Sequence, residues 1–367
     1  MQKKPKILFL VQLPPPIHGV TMMNDITVNS LKLKEVFEAK VLPMNYTTEI
    51  KGIGKFSWKK LFSFVINYFK IIRSVIKIKP DLIYFTLTPT GLSFYRDLLI
   101  VGLLKLFRSK IIYHLHGKGI KGKTENSKIN KAIYNWVFNN TYVIHLSKGL
   151  INDLSNLKVN FKYYPVSNGI DKNKLINKKD KNQTLTLLFL SNIAENKGVY
   201  MFLKSCLFLK ENDIEFKGVI VGKQTTLISK EVINKKIKEL DLINYVNYLG
   251  PKYDFEKEET LSKAHIFIFP TYNDCFPLVL LEAQKFGLPI ISTNEGAIPE
   301  IVDDAINGFV VERKNQKELN KKVLELVTNK ELIKEFSENS RIKFESFYTS
   351  EIYERSIISA LTNIAND

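Results

Sequence analysis

Short runs of β-branched and aromatic residues alternate with helical stretches along nearly the whole chain, and they do so in two successive sets. Strands are expected at 7–12, 39–42, 82–87, 111–115 and 143–146, with helices at about 21–31, 58–77, 92–107 and 129–138 between them. The second half repeats the grammar, with strands at 185–190, 216–221, 246–249, 266–269 and 289–292. Strands that are apolar throughout are buried on both faces, and such strands joined through helices form parallel sheets covered on both sides. Two doubly wound α/β domains are therefore expected, which suits 367 residues, too many for one ordinary core. The join is best placed at 172–183, a lysine-rich stretch with little apolar content. That gives Rossmann-like domains at 1–175 and 183–347, and a helix at 348–367 that folds back across the seam.

Composition narrows the class. With 45 % apolar and 25 % charged residues the chain is globular. Only Cys206 and Cys275 occur, so no disulfide framework is written here and a reducing cytoplasm is the natural compartment. The apolar stretch 7–11 imitates a signal peptide, but Pro14-Pro15-Pro16 breaks it too early and no small-residue cleavage site follows. It reads as a first strand.

The net charge of +17 is concentrated. Residues 51–79 hold eight basic side chains and no acid, and residues 98–132 hold eight more against Glu125 alone. In the first block Lys59, Lys60, Ser63, Asn67, Lys70, Ser74 and Lys77 form one narrow polar stripe on an otherwise apolar helix. Such a helix is too charged to span a bilayer. It either lies on an anionic membrane surface or is packed deeply in a lysine-rich protein. Nucleic acid is the other use for such charge, but no aromatic RNA-binding pattern, zinc-knuckle spacing or basic recognition helix is present, so none is expected.

The chemistry is written most densely from Asp274 to Glu282, where two carboxylates bracket a Phe-Pro start and an apolar run. Pro277 suits a first helical turn, so a helix is expected from about 277 to 286, stopped by Gly287 and Pro289. Its unpaired first amides suit a phosphate or a polar sugar. The plainer alternative is a buried amphipathic helix with two incidental acids. The other informative residues also fall beyond strand ends, where ligands of open parallel sheets collect: 14–19, His116-Gly117, 191–198 and 271–276. Two sheets facing each other would place these loops around one cleft.

In order, Pro14-Pro15-Pro16-Ile17-His18-Gly19, Tyr113-His114-Leu115-His116-Gly117, Val166-Ser167-Asn168-Gly169-Ile170-Asp171, Leu190 to Gly198, Phe269 to Glu282, and Gly296 to Val302 followed by Asn307-Gly308-Phe309 cover nearly the whole chain. Together they resemble the retaining glycosyltransferases of family 4, which have the two-Rossmann-domain GT-B fold and use a sugar nucleotide as donor. The resemblance implies catalytic roles for His116, Lys197, Asp274 and Glu282. It implies donor contacts from Gly19, Asn192, Lys197, Cys275, Phe276, Pro277, Leu278 and Glu282, and acceptor contacts from His18 and Gly19. Lys197 would meet the diphosphate, Glu282 the nucleotide ribose and Asp274 the hydroxyls of the donor sugar, while His116 would lie under that sugar.

Two positions depart from the family pattern. Asn192 stands where an Arg is usual, five residues before Lys197, and Asp274 stands where Glu is usual. No Asp-x-Asp pair and no metal-ligand cluster is visible, so neither a metal nor a cofactor is expected. Nor is there a nucleophile elbow or a Gly-Lys-Ser/Thr phosphate loop.

The expected function is retaining transfer from a nucleotide-diphosphate sugar to a saccharide acceptor. The basic, apolar N-terminal half points to a lipid-linked acceptor in capsule, O-antigen or exopolysaccharide assembly, with the enzyme cytoplasmic and peripheral to the plasma membrane. Two alternatives stand beside it, a GT-B phosphorylase and a catalytically silent nucleotide-sugar-binding partner.

Overall fold

The computed structural model of the protein describes residues 3–45, 58–172 and 184–367. The chain divides into two compact units, Met1–Gly169 together with Ser350–Asp367, and Ile170–Thr349. Most of the expected join, 173–183, lies outside the described residues, as does 51–57 of the basic segment.

The first unit is built on a sheet of β1 (Lys6–Val11), β2 (Glu38–Pro43), β3 (Leu82–Thr86), β4 (Lys110–Leu115), β5 (Thr141–His145) and β6 (Phe161–Pro165). Every neighbouring pair is parallel, in the order β2-β1-β3-β4-β5-β6. The central strands are buried on both faces, so alternate residues feed two cores. Leu8, Leu10, Ile83 and Phe85 pack under helices Trp58–Ile78, Leu92–Leu104 and Lys128–Phe138. Ile7, Phe9 and Tyr84 pack on the other side with Met23, Leu33 and the tail helix Ser350–Asn366. The tail helix presents Tyr353, Ile357, Leu361 and Ile364 to that core.

The second unit repeats the plan with β7 (Thr186–Leu190), β8 (Lys217–Val221), β9 (Val246–Tyr248), β10 (Ile266–Phe269), β11 (Ile290–Thr293) and β12 (Gly308–Val311). Its order is β12-β11-β10-β7-β8-β9, again parallel throughout. All ten expected strands form, within a few residues of their expected ends. β6 and β12 were not anticipated. Both are sheet edges: β6 is only partly covered, and β12 has four residues and begins at the glycine of an Asn-Gly pair. The expected helix at 21–31 is two helices, Gly19–Asn29 and Leu31–Val36, because Ser30 leaves helical geometry and its Oγ accepts from Leu33 N at 3.0 Å.

Candidate active site

In an open parallel sheet, ligands bind beyond the carboxyl ends where the strand order reverses. In the second unit that point lies between β7 and β10, because the chain runs outward from β7 through β8 and β9 and outward again from β10 through β11 and β12. From β7 the chain passes through 191–194 into a single 3₁₀ turn, Glu195–Lys197, and reaches Gly198. Gly198 has φ +86°, and a Cβ there would lie 2.3 Å from Pro270 O, so only glycine lets the two strand-end loops approach this closely. The Asn196 carbonyl then accepts from Thr271 Oγ1 and from Tyr272 N, each at 3.0 Å.

The consequence is a charged cluster. Lys197 Nζ lies 2.6 Å from Asp274 Oδ2 and donates to Asn273 O at 3.1 Å. Asp274 Oδ1 accepts from Cys275 N at 2.9 Å. Behind it Glu295, 1 % exposed, accepts from Asp274 N at 3.2 Å and pairs with Arg313 Nη1 at 2.9 Å. Gly296 (φ +55°) lets this segment touch the site loop, since a Cβ there would lie 2.5 Å from Cys275 O.

The following helix spans Leu278–Lys285, with Pro277 at its N-cap and no side chain capping it. Leu280 N turns back to Pro277 O, whereas the amides of Leu278 and Val279 meet no acceptor among the described residues. Two unfilled donors at the positive end of a helix beside an ammonium group make a place for an anion. Phe276 and Pro277 are buried, with Phe276 edge-on to Tyr348, which fixes the loop from below. Glu282 sits further along the helix, its Oε1 2.8 Å from Lys257 Nζ. Asn192 is exposed at the end of β7, and its side chain makes no hydrogen bond among the described residues.

Lys197 and Asp274 are therefore brought into direct contact, while Glu282 has its own cation. Lys257, Glu295 and Arg313 were missed. Glu295 had a signal, since it directly precedes the motif beginning at Gly296. Lys257 lies in an acid-rich helix start, and Arg313 in a polar turn, where nothing marks either.

In the first unit the strand order reverses at β1 and β3. The loop after β1 is held by Asn45, which accepts from Leu13 N at 3.0 Å and donates to Leu13 O at 2.7 Å, and by Asn24, which donates to Gln12 O at 2.9 Å. His18 ends this loop, its amide donating to Thr21 Oγ1 at 3.0 Å, and Gly19 opens the helix behind it. His116 follows β4, its ring 4.0 Å from that of His114. His114 is fully buried and its Nδ1 is joined to the Tyr84 hydroxyl. Burial, reinforced by His145 and His18, holds the His116 imidazole down to about 3. It is neutral at physiological pH, with a buried Nε2 that meets no partner among the described residues.

Residues 171–343 match the family model of glycosyl transferases group 1. The match takes in almost all of the second unit and just under half of the chain, so Asn192, Lys197, Asp274 and Glu282 all lie in the group 1 segment. The uncharacterized glycosyltransferase MJ1178 of Methanocaldococcus jannaschii is 30 % identical over 204 residues, covering 55 % of this chain and 54 % of that protein. The capsular polysaccharide biosynthesis glycosyltransferase CapM of Staphylococcus aureus is 27 % identical over 189 residues, or 50 % of this chain and 48 % of CapM. The chain thus spans about half the length of the curated relatives it matches. Anabaena Alr3699/HepE, solved in complex with UDP, is 17 % identical with a TM-score of 0.74, covering 98 % of this chain and 100 % of that one. That likeness shows the fold: GT-B, with two Rossmann-like domains.

Proposed function

We propose that the protein is a retaining, metal-independent glycosyltransferase of family 4. It moves a sugar from a nucleotide-diphosphate donor to a lipid-linked saccharide acceptor, in the cytoplasm, during assembly of a cell-surface polysaccharide such as capsule or O-antigen. The observation that carries this reading is Lys197, held between Asp274 and the Asn273 carbonyl beside the open amides of Leu278 and Val279. The UDP bound to Alr3699/HepE and the capsular role of CapM agree with it.

Without donor, Asp274 balances the Lys197 charge. A diphosphate brings further negative charge to the same ammonium group and to the two amides. Charge-assisted contacts of this kind contribute roughly 1.5–3 kcal/mol each. Donors already in place where charge develops also stabilise the leaving group in the transition state. Glu282 takes the ribose hydroxyls, and Asp274 the hydroxyls of the donor sugar with one methylene less reach than Glu. With Asn192 in place of Arg, Lys197 is the side-chain cation left to the diphosphate. His116, being neutral, offers the donor sugar a hydrogen bond without adding charge. The anomeric carbon–oxygen bond to the diphosphate breaks as the acceptor oxygen bonds on the same face. The acceptor proton passes to the departing diphosphate oxygen, so no dedicated acid and base carboxylates are required.

A calorimetric panel of UDP, GDP and ADP against wild type and Lys197→Ala tests the donor site. The best nucleotide should bind Lys197→Ala about 10- to 100-fold more weakly. Equal affinity would remove the diphosphate from Lys197. With a matched donor and acceptor, NMR of the product should show the anomeric configuration of the donor, and EDTA should leave the rate unchanged. An inverted product would end the retaining assignment.

A further inference from the structure

The outward face of helix Trp58–Ile78 is rotated off its polar stripe, keeping Lys70 and Lys77 exposed but turning Asn67 inward. Asn67, on that stripe, is buried at 7 % exposure. Val65, Ile66, Phe69 and Ile76 instead face outward at 43, 39, 66 and 58 %. Residues 66, 69, 73 and 76 recur at three- and four-residue spacing, so they share one side of the helix. Between the apolar side chains stand exposed Lys70, Arg73 and Lys77, none with an acidic partner among the described residues. Single exposed apolar residues are ordinary, but a row of four on one helix face is not.

Neighbouring parts continue the pattern. Helix Leu92–Leu104 covers the same sheet face, and Leu99 and Leu106 stand out from it and from the turn behind it. Where helix Trp58–Ile78 ends, an open groove of about 1190 Å³ brings Lys3, Lys77, Lys79 and Arg108 around one hollow. Its one acidic lining residue, Asp81, already accepts from Lys6 N at 2.8 Å. No helix among the described residues is long and apolar enough to cross a membrane.

We propose that this face of the first unit docks on an anionic lipid bilayer. The helix lies in the plane of the interface, with Phe69 and Ile76 among the acyl-chain ends and Lys70, Arg73, Lys77 and the groove cations at the headgroup phosphates. Charge complementarity selects this occupant. A second copy meeting the same face would set Lys70, Arg73 and Lys77 against their own like charges. A nucleic-acid backbone would leave the apolar row uncovered. The proposal does not rest on the lipid-linked acceptor proposed above, because vesicle binding is read without any transfer.

Flotation with phosphatidylcholine vesicles, with and without one-third phosphatidylglycerol, tests the surface on the whole chain. Wild type should float with the anionic vesicles only, and release as salt is raised. Arg73→Gln with Lys77→Gln should lower the partition coefficient about twentyfold, and Phe69→Ser with Ile76→Ser about tenfold. All four positions are exposed, so the melting temperature should stay at the wild-type value and separate lost docking from lost folding. Equal flotation with neutral vesicles, or no flotation, would overturn the proposal. So would a serine pair that leaves flotation intact but dissolves a dimer in sedimentation velocity, or a charge pair whose only effect is on duplex DNA binding.

Discussion

Gly198 holds the candidate site together by having no side chain. At φ +86° any other residue is strained, and its Cβ would drive into the Pro270 carbonyl. Gly198→Ala should therefore cost about 2–3 kcal/mol of unfolding free energy, read by urea titration. It should also weaken nucleotide binding, since the displaced turn carries Lys197. Gly122→Ala is the control. Gly122 is in helix Ile120–Glu125 with open space where a Cβ would go, and alanine there should stabilise by about 0.5–1 kcal/mol. Equal costs at the two sites would mean that the β7 and β10 loops are not locked as described. At this scale the sequence identified residues whose type is chemically marked, Lys197 and Asp274. It could not identify Lys257 or Arg313, because a surface lysine or arginine gains its meaning only from the buried or half-buried acid that folding sets against it.

Among the elements, the tail helix is the clearest case of one segment completing a distant core. Tyr353 OH lies 2.6 Å from Thr27 Oγ1, and Glu354 accepts from Ser30 Oγ at 2.6 Å and pairs with Lys32 at 2.7 Å. Lys110 Nζ donates to the Ile364 and Ala365 carbonyls, each at 3.0 Å, filling acceptors left open at a helix end. Four large buried side chains at roughly 1.5–3 kcal/mol each rival the whole stability of a typical domain. Deleting 350–367 should thus abolish the cooperative unfolding of the first unit, seen as loss of one calorimetric transition. Survival of that transition would show the helix to be accessory. The helix itself was legible from its apolar period. Its return to the first unit was expected, but the side chains it meets were not legible, because Thr27, Ser30 and Lys32 lie more than 300 positions away. Which face of helix Trp58–Ile78 stands outward was left open for a related reason: with apolar residues nearly all round, periodicity cannot say which side the sheet will take.

At the scale of the whole molecule, acid is the expected weakness. His114, His116 and His145 are all held below the usual imidazole value by burial, the latter two to about 3. Below pH 6.5 the unfolded chain binds protons that the folded chain refuses, so stability falls as pH drops from there toward the folded values. Each imidazole contributes a slope of up to about 1.4 kcal/mol per pH unit. His145→Asn should flatten the fall in melting temperature between pH 6.5 and 5 by about one proton's worth, and an unchanged slope would show that His145 already titrates in the native state. The sequence alone determined two parallel α/β sheets and the strand ends where chemistry gathers, because apolar runs and turn residues are local properties that survive any arrangement of neighbours. Tertiary structure decided which charges meet at Lys197, which strands close the sheet edges and which helix face is left bare, because each depends on contacts between residues that the chain order keeps far apart.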